Sequence, residues 1–254
     1  MRLLERDFPS DHLPLLRWLM FTGVTAFGCV VAWHYGLFQL MLASDKTYIS
    51  AIIGVLYIAA TAHCFVRTAT ISREMDSAHR VAALVSAGAP DLRVVGADVM
   101  TADGARLPAG KITGHIRNLI LKAGLQGNHR LDQTLLLRSL ADRLRGSNGF
   151  GAFASDTLMK LGLLGTIIGF ILMLAPIAGL DAGNQVSIKS SMSLMSDGMA
   201  VAMYTTLAGL VGSILIRIQY YMLDDATAKL FAYAVGLTEV RVISILEHQP
   251  QAAE

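Results

Sequence analysis

At 254 residues, 54% of them hydrophobic and only 16% charged, with a mean hydropathy of +0.51, the chain is too apolar for an ordinary soluble domain. Its net charge of +2 offers no basic surface for nucleic acid, and it lacks a phosphate-binding glycine loop, an HExxH run, a nucleophile elbow and a Cys/His cluster. These features exclude the common enzyme classes and leave an all-α membrane protein with no cofactor.

A helix needs about 20 residues to cross a bilayer core. Four stretches meet that length without Asp, Glu, Lys or Arg: Leu19 to Leu42, Tyr48 to Val66, Leu161 to Leu180 and Gly198 to Ile216. The first is preceded by Glu5, Asp7 and Asp11 and exceeds the usual apolar core of a signal peptide, so it is expected to remain as a span. Trp18, Trp33 and Tyr35 fall near its ends, where interfacial anchors belong. Cys29 lies near its middle and Cys64 near the inner end of the second span, which puts them at depths too different for a disulfide. His34 and His63 sit at span ends, as interfacial or packed side chains.

Between Arg67 and Lys160 stand thirteen Lys and Arg residues, whereas the connections 43–47 and 181–197 hold one each, Lys46 and Lys189. This bias predicts that both termini and the long middle insert are cytoplasmic. The expected organisation is 1–66 for an N-terminal cytoplasmic segment and spans one and two, 67–160 for a cytoplasmic, mostly helical insert, 161–222 for spans three and four, and 223–254 for a cytoplasmic C-terminal helix and tail. In the insert, Ile71, Met75, Ala78, Ala82 and Val85 continue the second span as an amphipathic helix. Residues 88–110, rich in Gly, Pro and Asp, read as loop or a small hairpin. Helix resumes from Ile112 to Leu144, interrupted at "GLQGNH" and stopped at Gly146; its Leu stripe is expected to pack on the other helices of the insert.

The last two spans differ in kind from the first two. The third carries Gly162, Gly165 and Gly169 beside one hydroxyl, Thr166; the fourth carries Gly198, Ala202, Thr205, Thr206, Gly209, Gly212 and Ser213. Small residues spaced by four (165/169, 198/202/206, 209/213) let helix backbones approach closely in lipid, where no hydrophobic drive brings helices together. Each threonine could simply bond back to a carbonyl one turn earlier. Taking Lys160 and Arg217 as the inner membrane edge, Thr166 lies about 9 Å and Thr206 about 16 Å above it.

The runs "LGLLGTIIGF" (161–170) and "DGMAVAMYTTLAGLVGSI" (197–214) resemble the paired signature of the MotA/TolQ/ExbB proton-channel family. The four-span plan with a large insert is similar to MotA, whereas "GLLGT" is closer to ExbB and TolQ. The resemblance implies a homopentameric ring in a bacterial inner membrane. The third and fourth helices would surround two copies of a single-span partner, similar to MotB, TolR or ExbD, whose transmembrane Asp carries the ion. Thr166 and Thr206 map onto the family's pore threonines. Thr205 is an extra hydroxyl about 100° round the helix that joins the ion pathway or faces a neighbouring subunit. Asp197 is a candidate outer entrance. Val201 in "GMAVAM" stands where TolQ and ExbB have a Glu, which removes a proton-relay role there.

The function so implied is that of a subunit of an ion-driven motor or stator, proton-driven in preference to Na+. The rival reading is a non-conducting oligomeric scaffold held together by the same small-residue ladders. A self-sufficient transporter is disfavoured, because no charge lies at mid-membrane and no inverted repeat is visible.

Overall fold

The structure is a computed structural model that describes residues 13–45, 47–87, 92–96, 98–101, 104–126, 131–179 and 185–248. Its helices are α1 (Leu13–His34), α2 (Leu37–Ser44), α3 (Ile49–Ala87), α4 (Lys111–Gln126), α5 (Thr134–Arg145), α6 (Gly149–Leu174), α7 (Gln185–Leu237) and α8 (Ile243–His248). One antiparallel hairpin, β1 (Leu92–Val95) and β2 (Asp98–Thr101), interrupts them, pairing Leu92 with Thr101 and Val94 with Val99. Among the described residues, four helical stretches are long and apolar enough to cross a membrane: Pro14–His34, Ile49–Ser86, Gly149–Ile177 and Ile188–Leu246.

The chain divides into two compact units, one of residues 17–66 and 148–222, the other of 1–16, 67–147 and 223–254. All four spans have their most apolar stretches in the first. There, α1 stops at His34 instead of running on to Leu42, because Gly36 adopts a left-handed φ of 73° and a new helix starts after it. Asp45 then opens α3: its Oδ1 accepts from the Thr47 amide at 3.0 Å and the Thr47 hydroxyl at 2.6 Å, and its Oδ2 from the Ser50 amide at 2.6 Å. Burial pushes that carboxyl up, but these bonds to the ionised form outweigh it and hold the pKa below the usual range. Trp18 of α1 packs on Phe65 of α3 with ring centroids 5.3 Å apart, while Val24, Phe27 and Val30 stay exposed, as suits a lipid-facing helix.

The third helix begins at Gly149, well before Leu161, so Asp156 and Lys160 belong to its first turns; the fourth runs unbroken past residue 222 to Leu237. The boundaries expected at 160/161 and 222/223 are therefore not helix ends. Helices continue through the polar turns there, while the compact units divide at 66/67, 147/148 and 222/223.

In the second unit, α3 buries Ile71, Met75, Ala78, Val81 and Val85, with Val81 at the place expected for the half-buried Ala82. These join Ile112, Ile116 and Leu119 of α4, Leu140 and Leu144 of α5, and Leu223, Leu230 and Ala234 of α7 among the buried residues of this unit. The end of α5 is capped by cations. Lys111 Nζ donates to Arg143 O at 2.9 Å, and Arg67 Nη2 donates to Leu144 O and Arg145 O, each at 2.9 Å. Lone carbonyls at a helix C-terminus attract positive charge. Gly146 leaves room for the arrangement, since a Cβ there would lie 2.9 Å from Arg67 Nη2, and its φ of 46° suits glycine. Between α7 and α8 the chain forms a π-helical turn, Thr238–Val242. Its Glu239 accepts a short hydrogen bond from Gln133 Nε2, and Gln133 Oε1 lies 3.4 Å from the buried His115 Nε2.

Candidate functional site

The two glycine-rich helices meet along a seam whose residues are spaced four, three, four, three and four apart on α6: Gly151, Ser155, Leu158, Gly162, Gly165 and Gly169, all buried. This is the spacing of antiparallel helices packed side by side along a shallow crossing. Both partners in the contact are backbone. A Cβ on Gly169 would sit 2.6 Å from Ala202 N, one on Gly198 would sit 2.9 Å from Gly169 O, and one on Gly209 would sit 2.6 Å from Leu158 O and 2.8 Å from Gly162 Cα. Carbon atoms in contact stand about 3.5 to 4.0 Å apart, so no side chain fits at any of these glycines. Further along, Ser155 Oγ lies 3.0 Å from Ser213 Oγ and 3.1 Å from Ser213 O, and the Tyr220 ring covers Gly151. Tyr220 OH in turn meets His63 Nδ1 of α3 at 2.6 Å.

Of the expected site residues, the structure brings Thr166 and Thr206 together: their hydroxyls share a short hydrogen bond. Thr206 Oγ1 also lies 2.9 Å from Ala202 O and 3.2 Å from Gly162 O, and Thr166 Oγ1 lies 3.3 Å from the same Gly162 O. The two hydroxyls are thus at one level, not at the two depths that counting from Lys160 and Arg217 gave. The pairs Ser155–Ser213 and Gly151–Tyr220 explain the error, because Arg217 falls opposite the first turns of α6 and not opposite Lys160.

Thr205 has a different place. It is 0% exposed, its hydroxyl donates to Val201 O at 2.8 Å, and a Cβ on Gly165 would lie 2.5 Å from its own Cβ. It fills the seam between α6 and α7 and offers no exposed surface, whereas the expectation had it in the ion pathway or facing a neighbouring subunit. Val201 is likewise buried, at 2% exposed. Asp197 is exposed on α7, next to Gly198, whose contact is Met173 near the end of α6.

Thr166 is exposed and Thr206 half-exposed, on a face otherwise apolar: Leu163 and Phe170 flank the first, Met203 and Leu210 the second, all of them exposed. A paired hydroxyl patch therefore stands on an apolar wall. Two hydroxyls hold two protons to share among four acceptors, Ala202 O, Gly162 O and the two hydroxyl oxygens themselves. Either proton can be turned outward to an approaching anion at the loss of one internal bond. The seam behind the patch is closed by the Gly162–Gly209 contact, so nothing passes from the pair to Ser155 and Ser213 between the helices.

Sequence reading missed the seam residues Gly151, Ser155 and Tyr220, and the Tyr220–His63 bond. The signal for the first two was available, since 151, 155, 158, 162, 165 and 169 repeat the same alternation of spacings.

The model of the MotA/TolQ/ExbB proton channel family matches residues 115–234, which include the whole described seam from Gly151 to Tyr220. No curated protein and no solved structure matches the chain.

Proposed function

From the match of residues 115–234 to the model of the MotA/TolQ/ExbB proton channel family, we propose that this multi-pass membrane protein belongs to that family and is the ring-forming subunit of a proton-driven motor or stator. In this reading five copies surround two single-span partner helices of the MotB, TolR or ExbD kind, each bringing one Asp. The ring lies in a bacterial inner membrane with its termini and the 67–160 insert cytoplasmic.

The observation that carries the reading is the Thr166–Thr206 pair on an exposed apolar face. A protonated partner Asp can slide along Leu163, Phe170, Met203 and Leu210 at little cost, because it is neutral. Once ionised, the same carboxylate is expensive in an apolar setting unless it accepts hydrogen bonds. Thr166 and Thr206 supply two donors at one level, between the apolar side chains of Leu163, Phe170, Met203 and Leu210. Deprotonation therefore holds the partner at a threonine pair and protonation releases it to the next. One charge crossing 100 mV carries about 2.3 kcal/mol to bias the step. Two partner helices cannot meet five equivalent walls identically, which favours stepping over rest. Asp197, on the same helix toward the other end of the span, is the candidate entrance for the proton.

The test is proton flux through liposomes holding this chain together with the single-span, Asp-bearing product of an adjacent reading frame. Thr206→Val and Thr166→Val keep shape and lose only the hydroxyl, so each should abolish flux while native mass spectrometry still finds the five-plus-two complex. Normal flux through both variants at normal assembly overturns the pathway, and a wild-type oligomer that never conducts restores the scaffold reading.

A further inference from the structure

On α7, Met192, Met195, Met199 and Met203 follow one another at spacings of three, four and four, the spacing of a single helix face. It is the face of Thr206, because Met199 lies seven residues from Thr206, two turns less about 20°. On α6, Met173 is likewise seven residues from Thr166, in the same direction along the seam since the two helices run antiparallel. Thr166 and Thr206 touch, so Met173 and Met199 hold the equivalent positions about 10 Å further along. The backbone fixes this level independently: a Cβ on Gly198, the residue before Met199, would lie 2.5 Å from Met173 N and 2.8 Å from Met173 Cα. Met192, Met199 and Met203 are exposed, and Met173 and Met195 are half-buried. Five of the twelve methionines of the chain thus gather at one end of one seam, a concentration that an apolar wall does not require, since Leu163, Phe170 and Leu210 supply such a wall without sulfur.

Methionine differs from leucine in its flexible, unbranched chain and its polarisable thioether. Residues three or four apart on a helix have Cβ atoms about 5 to 6 Å from each other, a separation that the rotatable bonds of methionine can close. Neutral thioethers are soft donors that select Cu(I), whereas carboxylate, carbonyl and water oxygens suit hard cations. Asp197 stands two residues from both Met195 and Met199, about 200° of helical rotation away, so it adds no hard donor to this face. A compliant packing surface would also use methionine, but it has no need of a thioether from α6 level with those of α7. Donors from two helices at one level are what a metal ion needs.

We propose that Met173, Met195 and Met199 form a three-thioether site for a soft monovalent metal ion, Cu(I) or its redox-stable analogue Ag(I), with Met192 and Met203 flanking it along α7. The three sulfurs come from a single copy of the chain, so the site needs neither a ring nor a partner helix and does not rest on the proposed ion path. It is separate from the hydroxyl pair, two helical turns away, whose oxygens are hard donors.

The probe is Ag+ in chloride-free buffer, titrated into the full-length chain in detergent with its methionine methyl groups labelled with 13C. Cys29→Ala and Cys64→Ala remove the competing thiols from this background. One Ag+ per chain should bind and shift three methyl signals above all others, which single Met→Leu substitutions assign to Met173, Met195 and Met199. Leucine conserves volume and apolar character, so the variants should elute from size exclusion like the parent chain. Each donor lost should weaken Ag+ binding by about 10-fold or more, at least the effect of losing a supporting group around a metal. Met20→Leu on α1 should change nothing, and Na+ in place of Ag+ should leave the methyl signals where they are. No uptake of Ag+, shifts spread evenly over the methionines, or uptake unchanged in Met195→Leu/Met199→Leu overturns the site and leaves the stripe as a packing surface.

Discussion

Gly165 and Gly169 lie one turn apart in the same seam, yet alanine should affect them differently, because their neighbours differ in what can yield. A methyl on Gly169 would meet Ala202 N at 2.6 Å, its Cβ at 2.7 Å and its Cα at 2.8 Å. Two of these three atoms are backbone, so α6 and α7 must separate by roughly 1 Å to restore ordinary contact. A gap of that size forfeits about a quarter to a half of each dispersion contact along the seam, and overpacking of this kind costs about 1 to 3 kcal/mol. At Gly165 the methyl meets the Thr205 side chain: Cβ at 2.5 Å, Cγ2 at 2.9 Å and the hydroxyl. Removing that side chain should make room. Gly165→Ala with Thr205→Gly should therefore recover most of the stability lost in Gly165→Ala alone, whereas Ala202→Gly should recover little for Gly169→Ala, since the backbone atoms remain. Unfolding of the purified chain in mixed micelles under SDS titration reads all the variants and their double-mutant cycles. The reasoning fails if Gly169→Ala unfolds like the wild type, or if Ala202→Gly rescues Gly169 as fully as Thr205→Gly rescues Gly165.

Thr205→Val should leave proton flux unchanged and shift stability by no more than about 1 kcal/mol, because its hydroxyl bonds only to backbone carbonyls that keep their helical partners; loss of flux at normal assembly would put Thr205 on the ion path. Arg67→Ala should uncap Leu144 O and Arg145 O and destabilise the 67–147 unit by about 1 to 2 kcal/mol, as charged hydrogen bonds at a partly exposed site do; amide exchange at the end of α5 should rise, and unchanged protection there would refute the cap. Burial lowers the pKa of His115, opposed by its bond to Gln133, so the folded chain takes up its proton at lower pH than the unfolded one. Stability from this residue is then fully present above about pH 6.5 and lost as pH falls through that value toward the folded pKa; His115→Gln should flatten the pH dependence of Tm in that range, and an unchanged slope would place the effect elsewhere.

The third span, the second span and the closeness of the seam could be read from the residues, because glycines in an apolar run have few other uses. The phase of the seam could not be read from pairs spaced by four alone. Those pairs included Thr206 with 198 and 202, which would turn Thr206 inward. The observed alternation of four and three instead carries α7 through Ala202, Thr205 and Gly209, and α6 through Gly162, Gly165 and Gly169. The break at Gly36 was hidden for a related reason: glycine inside an apolar segment does not announce whether it packs or turns, and only its φ of 73° decides. Depth failed because Lys160 and Arg217 are not opposite one another, and a charge marks a level only when the register of its helix is known.

That register also bears on function. Thr205 and Thr206 have nearly the same chemistry and differ by about 100° around one helix. Seated against Gly165, Thr205 spends its hydroxyl on Val201 O, and the next residue is thereby fixed at the rim, where it meets Thr166 across the carbonyl of Gly162. A slip of one residue would exchange the two. The glycines therefore do more than let helices touch: by accepting Thr205 and no larger neighbour on either side, they determine which of two adjacent hydroxyls faces outward, and hence where an ionised carboxylate could find a donor on an otherwise apolar wall.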